Sequence, residues 1–517
     1  MLAENSYLPP EERAKRAKRK REELILRGLT PDWFLNQESL CLPPGMRVAV
    51  IGAGFAGLSA AWYLAECGVR TTIYEASGSV GGRVRTNRAF VAGKVVEDGA
   101  ELIGENHPLW GLHVIRFGLK LNELTDDEVS GLNVRTRFVG NDLTKAQKEA
   151  LDAALQKHFA TIGAAGSAID EVTPWRSPDA RAADGISVAA MLDKLLGKEP
   201  SLERMWFNFT LSNDNCADVS KQSYLSLLAS VSAARMGSDA PGMLGYWYST
   251  ETHRCDGGND ILANRLTRQL KDLRIRNVVQ RVRIEAAFVP QVRIISAEYD
   301  AGGAVLQQRT DDVDYVVLAV PPTVWSVINF DPPFDPAGRA MQHGAAVKFM
   351  SRYNTRFWEA TKLAPTAKWD ELGSVWEGTD SQGPALPIDL TVFSGGPYVL
   401  PASAYPGRLA TLYPAKSPDG TPTAQHFMDW PNEPFIGTGY AVPGVGEVTT
   451  ISPNQIAPHA QRLYFAGEQT SPGFFGYMEG ALQSGARAAR DIVKSAAIRY
   501  RYASRCKSGD GRSSDDY

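Results

Sequence analysis

The spacing of apolar positions changes period several times along the chain, and each change marks an element. Residues 48–51 are an unbroken apolar, β-branched run, the pattern of a strand buried on both faces. Residues 58–67 predict a helix, and 70–74 a second strand. Residues 95–104 read as a strand running into a glycine-bearing turn, and 107–121 as a helix with Pro108 in its first turn. Between 122 and 250 apolar residues recur at three-to-four spacing over 146–162, 188–196 and 222–235. This predicts a mostly helical layer in which Trp206, Phe207 and Phe209 pack. A Gly257-Gly258 turn leads into an amphipathic helix, followed by strands over 277–284, 292–299 and 314–320, the last stopped by Pro321 and Pro322. Alternation resumes over 345–358, a strand that projects Lys348 from one face. Residues 384–418, rich in Pro, Gly and Ser, read as short strands and loops. A strand over 463–466 and a long helix from near Tyr477 close the pattern.

The first strand, helix and second strand carry a specific chemistry. Gly52, Gly54 and Gly57 fall in G-x-G-x-x-G spacing at the strand-to-helix turn. The first allows a tight turn, the second a close approach of backbone to a pyrophosphate, and the third close packing of helix on strand. The helix N-terminus then faces the phosphates with its free amides and dipole. Glu75, at the end of the second strand, can accept hydrogen bonds from a ribose diol. Taken alone, this fingerprint leaves open whether the dinucleotide is NAD or FAD. A second glycine-rich turn, Gly81-Gly82-Arg83, adds a guanidinium for the pyrophosphate.

Composition narrows the class. A chain of 517 residues, 44% hydrophobic and 22% charged, has room for two or more domains and a large core. A net charge of -3 argues against a nucleic-acid partner. Five scattered cysteines without C-x-x-C pairs suggest reduced thiols in a cytoplasmic protein, and neither they nor the seven histidines show metal-ligand spacing. No stretch approaches the roughly 18 apolar residues of a membrane span. Residues 9–26, dense in both charge signs, read as a solvated helix, and the last residues as a polar, disordered tail.

The GxGxxG turn, Glu75 and Gly81-Gly82-Arg83, paired with FAGE at 465–468 and GYMEGA at 476–481, resemble the flavin-containing amine oxidase family of monoamine, polyamine and L-amino acid oxidases. The resemblance implies an α/β fold: a Rossmann-like FAD-binding domain with an interleaved α+β substrate-binding domain. The FAD domain would comprise 46–115, 251–330 and 441–497, and the substrate domain 116–250 and 331–440. An extension (1–45) and a tail (498–517) flank them. FAD contacts are then expected from Gly52, Gly54, Ala56, Gly57, Glu75, Ala76, Gly82, Arg83, Val282, Trp430, Gly467, Glu468 and Met478. The family's water-binding lysine beside the flavin matches Lys348, and its two cage aromatics match Tyr440 and Tyr477. The residue that carries a covalent flavin link in monoamine oxidases is Gly439 here, so the resemblance implies noncovalent FAD. Leu102 falls in the substrate site, where L-amino acid oxidases place a carboxylate-binding Arg. That departure counts against amino acids unless Arg116 or a helical-domain Arg serves instead. Glu101 beside it reads as a surface or hydrogen-bonded strand-end acid, with an ammonium within its reach. The expected activity is oxidation of a small amine to an imine, with O2 reduced to H2O2, by a soluble protein for which the resemblance implies a homodimer. The alternatives are an L-amino acid oxidase and a noncatalytic FAD-bound scaffold.

Overall fold

The computed structural model describes residues 42–507, apart from 126, 128–130, 235–242, 244–245, 247–248, 286–290, 384–385 and 415–419. The charged segment 9–26 and the end of the polar tail lie outside the described residues.

A five-stranded sheet sits at the centre of the nucleotide-binding unit. Its order is Leu463–Phe465, Tyr315–Leu318, Arg47–Ile51, Arg70–Tyr74, Asp272–Arg274, and every neighbouring pair is parallel. The strands come from widely separated stretches, so this sheet is assembled only after the intervening chain has left and returned. Val48, Val50 and Val317 turn to one core; Ala49, Ile51, Val316 and Leu318 turn to another on the opposite face. A parallel sheet covered on both sides has this unbroken apolar character.

The helix Phe55–Glu66 follows the first strand and is buried from Phe55 to Leu64. The C-terminal helix Met478–Lys507 packs across it. Their approach is close because Gly485 presents no side chain: a Cβ there would stand 2.2 Å from the Ala56 carbonyl oxygen. Ser59 Oγ donates to the Leu482 carbonyl at the same crossing (2.7 Å).

A seven-stranded sheet forms the second unit, in the order Ala424–Asp429, Ala346–Tyr353, Ile388–Gly395, Gly373–Glu377, Leu363–Trp369, Asn133–Phe138, Asn141–Asp142. The helices Lys145–Gly166, Val188–Leu196, Leu202–Asp214 and Tyr224–Ala233 share a separate core with Trp206, Phe207 and Phe209. The strand Ala346–Tyr353 is interior, flanked by two antiparallel neighbours, and both its faces are covered. Val347 and Phe349 join Tyr405 and Leu409 on one side, and Met350 joins Val91, Val96 and Trp430 on the other. Lys348 is therefore buried, where its alternating pattern alone leaves its exposure open. A four-stranded sheet (Val305–Val313, Gln291–Tyr299, Asn277–Glu285, Asn329–Asp331) includes two strands absent from the sequence reading: the short Asn329–Asp331, and VLQQRTDDV, which is mostly exposed and has no apolar face. Only Val96–Glu97 of the strand expected over 95–104 is in a ladder. No described helix is long and apolar enough to cross a membrane. Among the described residues, no group of three or more His, Cys, Asp or Glu is placed to hold a metal ion.

Candidate active site and cofactor cleft

A cavity of about 700 Å³ runs between the units and gathers residues from almost every motif. At the nucleotide fingerprint, Gly52 has φ +101°, and a Cβ on it would stand 2.8 Å from Val320 and 2.9 Å from the Ala319 carbonyl. Gly54 caps the helix Phe55–Glu66 without a side chain, and Gly54, Phe55 and Ala56 line the cavity. The helix N-terminus thus opens on the cavity with unblocked amides, as an anion requires. Gly57 does not line it. Its role is packing: a Cβ would lie 1.9 Å from the Gly52 carbonyl oxygen.

Glu75 and Ala76 border the same space. Glu75 Oε2 accepts from the Ala53 amide (2.7 Å) and Oε1 from the Ser77 amide (2.8 Å), which fixes the carboxylate at the strand end. Gly82 and Arg83 follow on the wall. Arg83 Nη1 donates to the Gly439 carbonyl (2.7 Å) and to Glu468 Oε1 (2.8 Å), so this guanidinium ties the second glycine turn to the C-terminal motif. Glu468 also accepts from the Ala441 and Gly476 amides. Burial alone would raise its carboxyl, but Arg83, His343 and the Gly476 amide hold it below the usual carboxylate range. Gly467 (φ +135°) and Met478 also line the cavity. Trp430 does too, its indole donating to the Asp98 carbonyl (3.1 Å) and its ring lying under Arg85.

Val282 is placed elsewhere. It is buried in the hydrophobic cluster beneath the first sheet, while Asn277, Val278 and Val279 of the same strand reach the cavity. The bulge between Val279 and Arg281 separates the two stretches.

Lys348, Tyr440, Tyr477 and Leu102 share this cavity. The Tyr440 hydroxyl donates to the Asp214 carbonyl, and burial raises both tyrosine phenols far above their ordinary value. Tyr477 packs edge-on against His107, with ring centroids 5.5 Å apart. Gly476 has φ +79°, and a Cβ there would fall 2.7 Å from the Tyr440 ring, so the residue before Tyr477 makes room for the other aromatic.

Sequence reading missed several residues here. Asp214, at the end of the helix Leu202–Asp214, lines the cavity together with Glu251 and Lys368. Glu251 lines the cavity and keeps accessible surface; desolvation there and the Asp214 charge push its carboxyl up to about 7. No motif flags these acids, since each comes from a different element. Glu101 is neither a surface residue nor simply a strand-end acid. It is buried and bonded to Lys348, Arg254 and Trp376. The signal was its place beside Leu102; its partners lie 153 to 275 residues away.

Arg116 stacks on Trp62 and does not line the cavity. Among the described residues, the four arginines that do are each held by an acid: Arg83 by Glu468, Arg85 by Glu433, Arg254 by Glu101 and Arg356 by Glu377.

The glycine cradle, the open helix N-terminus and the anchored Glu75 on one cavity wall fit a dinucleotide, and the aromatic residues on the same cavity fit a flat ring system beside it. The sequence matches the signature described as "Flavin containing amine oxidoreductase" over residues 55–493. It is 23% identical to a flavin-containing amine oxidase of Danio rerio, covering 86% of this chain and 85% of that protein. It is 24% identical to an L-amino-acid oxidase of Echis ocellatus, covering 86% and 88% respectively. Its fold resembles that of cyclohexylamine oxidase from Brevibacterium oxydans IH-35A, with a TM-score of 0.70, 22% identity, and 87% of this chain and 99% of that one covered. The chain belongs to the flavin-containing amine oxidoreductases: it is an oxidoreductase acting on amines, and its cofactor is FAD.

Proposed function

We propose that this enzyme oxidises a small amine lacking a carboxylate beside its nitrogen, forming an imine that water hydrolyses to a carbonyl compound and ammonia or a smaller amine. One observation carries the choice over an amino acid. Leu102 stands where a carboxylate-binding Arg is expected, and the four cavity arginines among the described residues already have carboxylate partners. An incoming carboxylate would have to compete with these partners, and at Arg83, Arg254 or Arg356 displacing the partner would leave a buried acid unpaired. When bound, FAD would supply the two-electron acceptor for the C–H bond alpha to nitrogen, with O2 as the final oxidant, reduced to H2O2.

The chain's own residues orient and desolvate. Gly52, Gly54, Ala56, Glu75, Ala76, Gly82 and Arg83 would hold the nucleotide portion of FAD, and Trp430, Gly467, Glu468 and Met478 the remainder. Gly57 serves them indirectly, by packing. Tyr440 and Tyr477 flank the amine as neutral phenols, since their burial resists ionisation. Lys348 offers an N–H donor to a water or substrate atom between them. Gly439 supports noncovalent attachment, because a Cβ there would lie 2.7–2.8 Å from Ala346 and the Gly344 carbonyl. Acid precipitation should accordingly leave all the yellow colour in the supernatant.

The deciding experiment is anaerobic mixing of the holoenzyme with a panel of amines and L-amino acids while flavin absorbance is followed. Bleaching by amines alone, with peroxide formed on readmitting air, is the expected result. Bleaching by amino acids would favour the L-amino acid oxidase reading. A loaded flavin that no compound bleaches would favour the scaffold.

A further inference from the structure

Glu101 is the acid around which the buried charges of the cavity are arranged. Its side chain is 3% exposed, and both oxygens are occupied. Oε2 accepts from Lys348 Nζ at 2.6 Å; Oε1 accepts from Arg254 Nε at 2.7 Å and Trp376 Nε1 at 2.9 Å. Lys348 has a second acceptor in the Glu97 carbonyl (2.9 Å), and its ammonium lies 5.7 Å from the Trp376 ring centre. An ammonium carries three donors. Two are taken by Glu101 and Glu97, which leaves one for the cavity that Lys348 lines.

A lysine side chain has four rotatable bonds, and burying its charge without a partner is costly. Here the partner is itself immobilised, because Arg254 and Trp376 hold the other carboxylate oxygen. Burial would raise the Glu101 carboxyl, and Lys348 and Arg254 bring it below its ordinary value.

We propose that Glu101 is the positioning residue for Lys348, fixing through the Arg254 and Trp376 contacts which single donor the ammonium presents to the cavity. The proposal rests on the role given to Lys348 above. Glu101 does not meet the amine in this scheme; it acts through the lysine.

A double-mutant cycle tests it, with Glu101→Gln and Lys348→Met made singly and together. Glutamine keeps the size of the side chain and removes the charge that orders the ammonium. The readouts are the visible spectrum of the oxidised flavin, which needs no substrate, and the rates of anaerobic reduction and aerobic reoxidation. In the native background, Glu101→Gln should shift the flavin spectrum and slow the Lys348-dependent step by about tenfold. In the Lys348→Met background it should leave the spectrum unmoved and change the same rate by less than about twofold. Equal effects in both backgrounds, or no effect in the native one, would overturn the assignment. Should Glu101→Gln lose the flavin, Trp376→Phe replaces it: removal of one donor should give a smaller change of the same direction, absent in Lys348→Met. Persistence of that change without the lysine would equally overturn it. Because the spectra are read without substrate, they separate failure of this inference from failure of the amine oxidase reading, which would show as a native flavin that no amine reduces.

Discussion

At the scale of single residues, the site works by removing freedom from groups that are common elsewhere. Lys348 is an ordinary surface residue type made unusual by an interior strand and a buried counter-ion. Its replacement by methionine keeps the length and apolar bulk of the side chain but deletes the donor. Lys348→Met should therefore retain FAD while lowering turnover by about tenfold or more, in line with the loss of one preorganised donor in a water-poor site. Steady-state peroxide formation at saturating amine, normalised to bound flavin, measures this directly. Unchanged turnover would take Lys348 out of the reacting set. The same reasoning separates Glu101 from Lys348. The lysine was legible because its segment resembles a known one, whereas the acid that holds it sits 247 residues away in sequence and carries no motif. Charge pairing across that distance is a property of the folded chain.

Among the elements, those with strong local rules were legible and those defined by their neighbours were not. The strand Arg70–Tyr74 and the helix Val188–Leu196 fall where the local pattern placed them, the helix with Ser187 capping its first turn. The strand Val305–Val313 was invisible: its polar residues are held by a ladder to Gln291–Tyr299 rather than by burial. Val282 shows the finer limit, since a bulge two residues before it decides which part of the strand reaches the cavity. Glycines in helices show how packing overrules propensity. Gly485 and Gly111 both lie within helices, and alanine is the better helix former by about 1 kcal/mol. Around Gly111 there is open space, so Gly111→Ala should be neutral or raise the melting temperature slightly. At Gly485 the new methyl would meet the Ala56 carbonyl and Ser59, pushing the C-terminal helix off the nucleotide-binding helix. Gly485→Ala should cost about 1–3 kcal/mol and reduce FAD occupancy. Thermal melts and the ratio of flavin to protein absorbance on the two variants check the contrast.

For the whole molecule, buried titratable groups make stability depend on pH in a window that can be read from their directions. Burial pushes Glu97 and Asp389 up to about 8. Burial lowers His107 and His113 to about 3. For the histidines, the unfolded chain binds protons that the folded one excludes, so their effect is destabilising at low pH and disappears as pH rises past the ordinary histidine value near 6.5. For the acids the sign reverses. The folded chain keeps protons that the unfolded chain has already released, so their stabilising effect is complete only below the ordinary carboxyl range and is lost as pH rises through 7 to 8. Between about pH 6.5 and 8 only the acids contribute among these groups, and stability must fall with a slope of at most about 1.4 kcal/mol per pH unit for each. The melting temperature of the holoenzyme, followed across that interval, should decline. Asp389→Asn should flatten the decline, because an amide in place of the protonated acid has no proton to release; its Thr391 partner can still donate to the remaining oxygen. A melting curve as steep in Asp389→Asn as in the native chain would mean that this carboxyl is already ionised in the folded protein, and that the balance of charge around Glu101 and Lys348 includes one more anion than the arrangement described here.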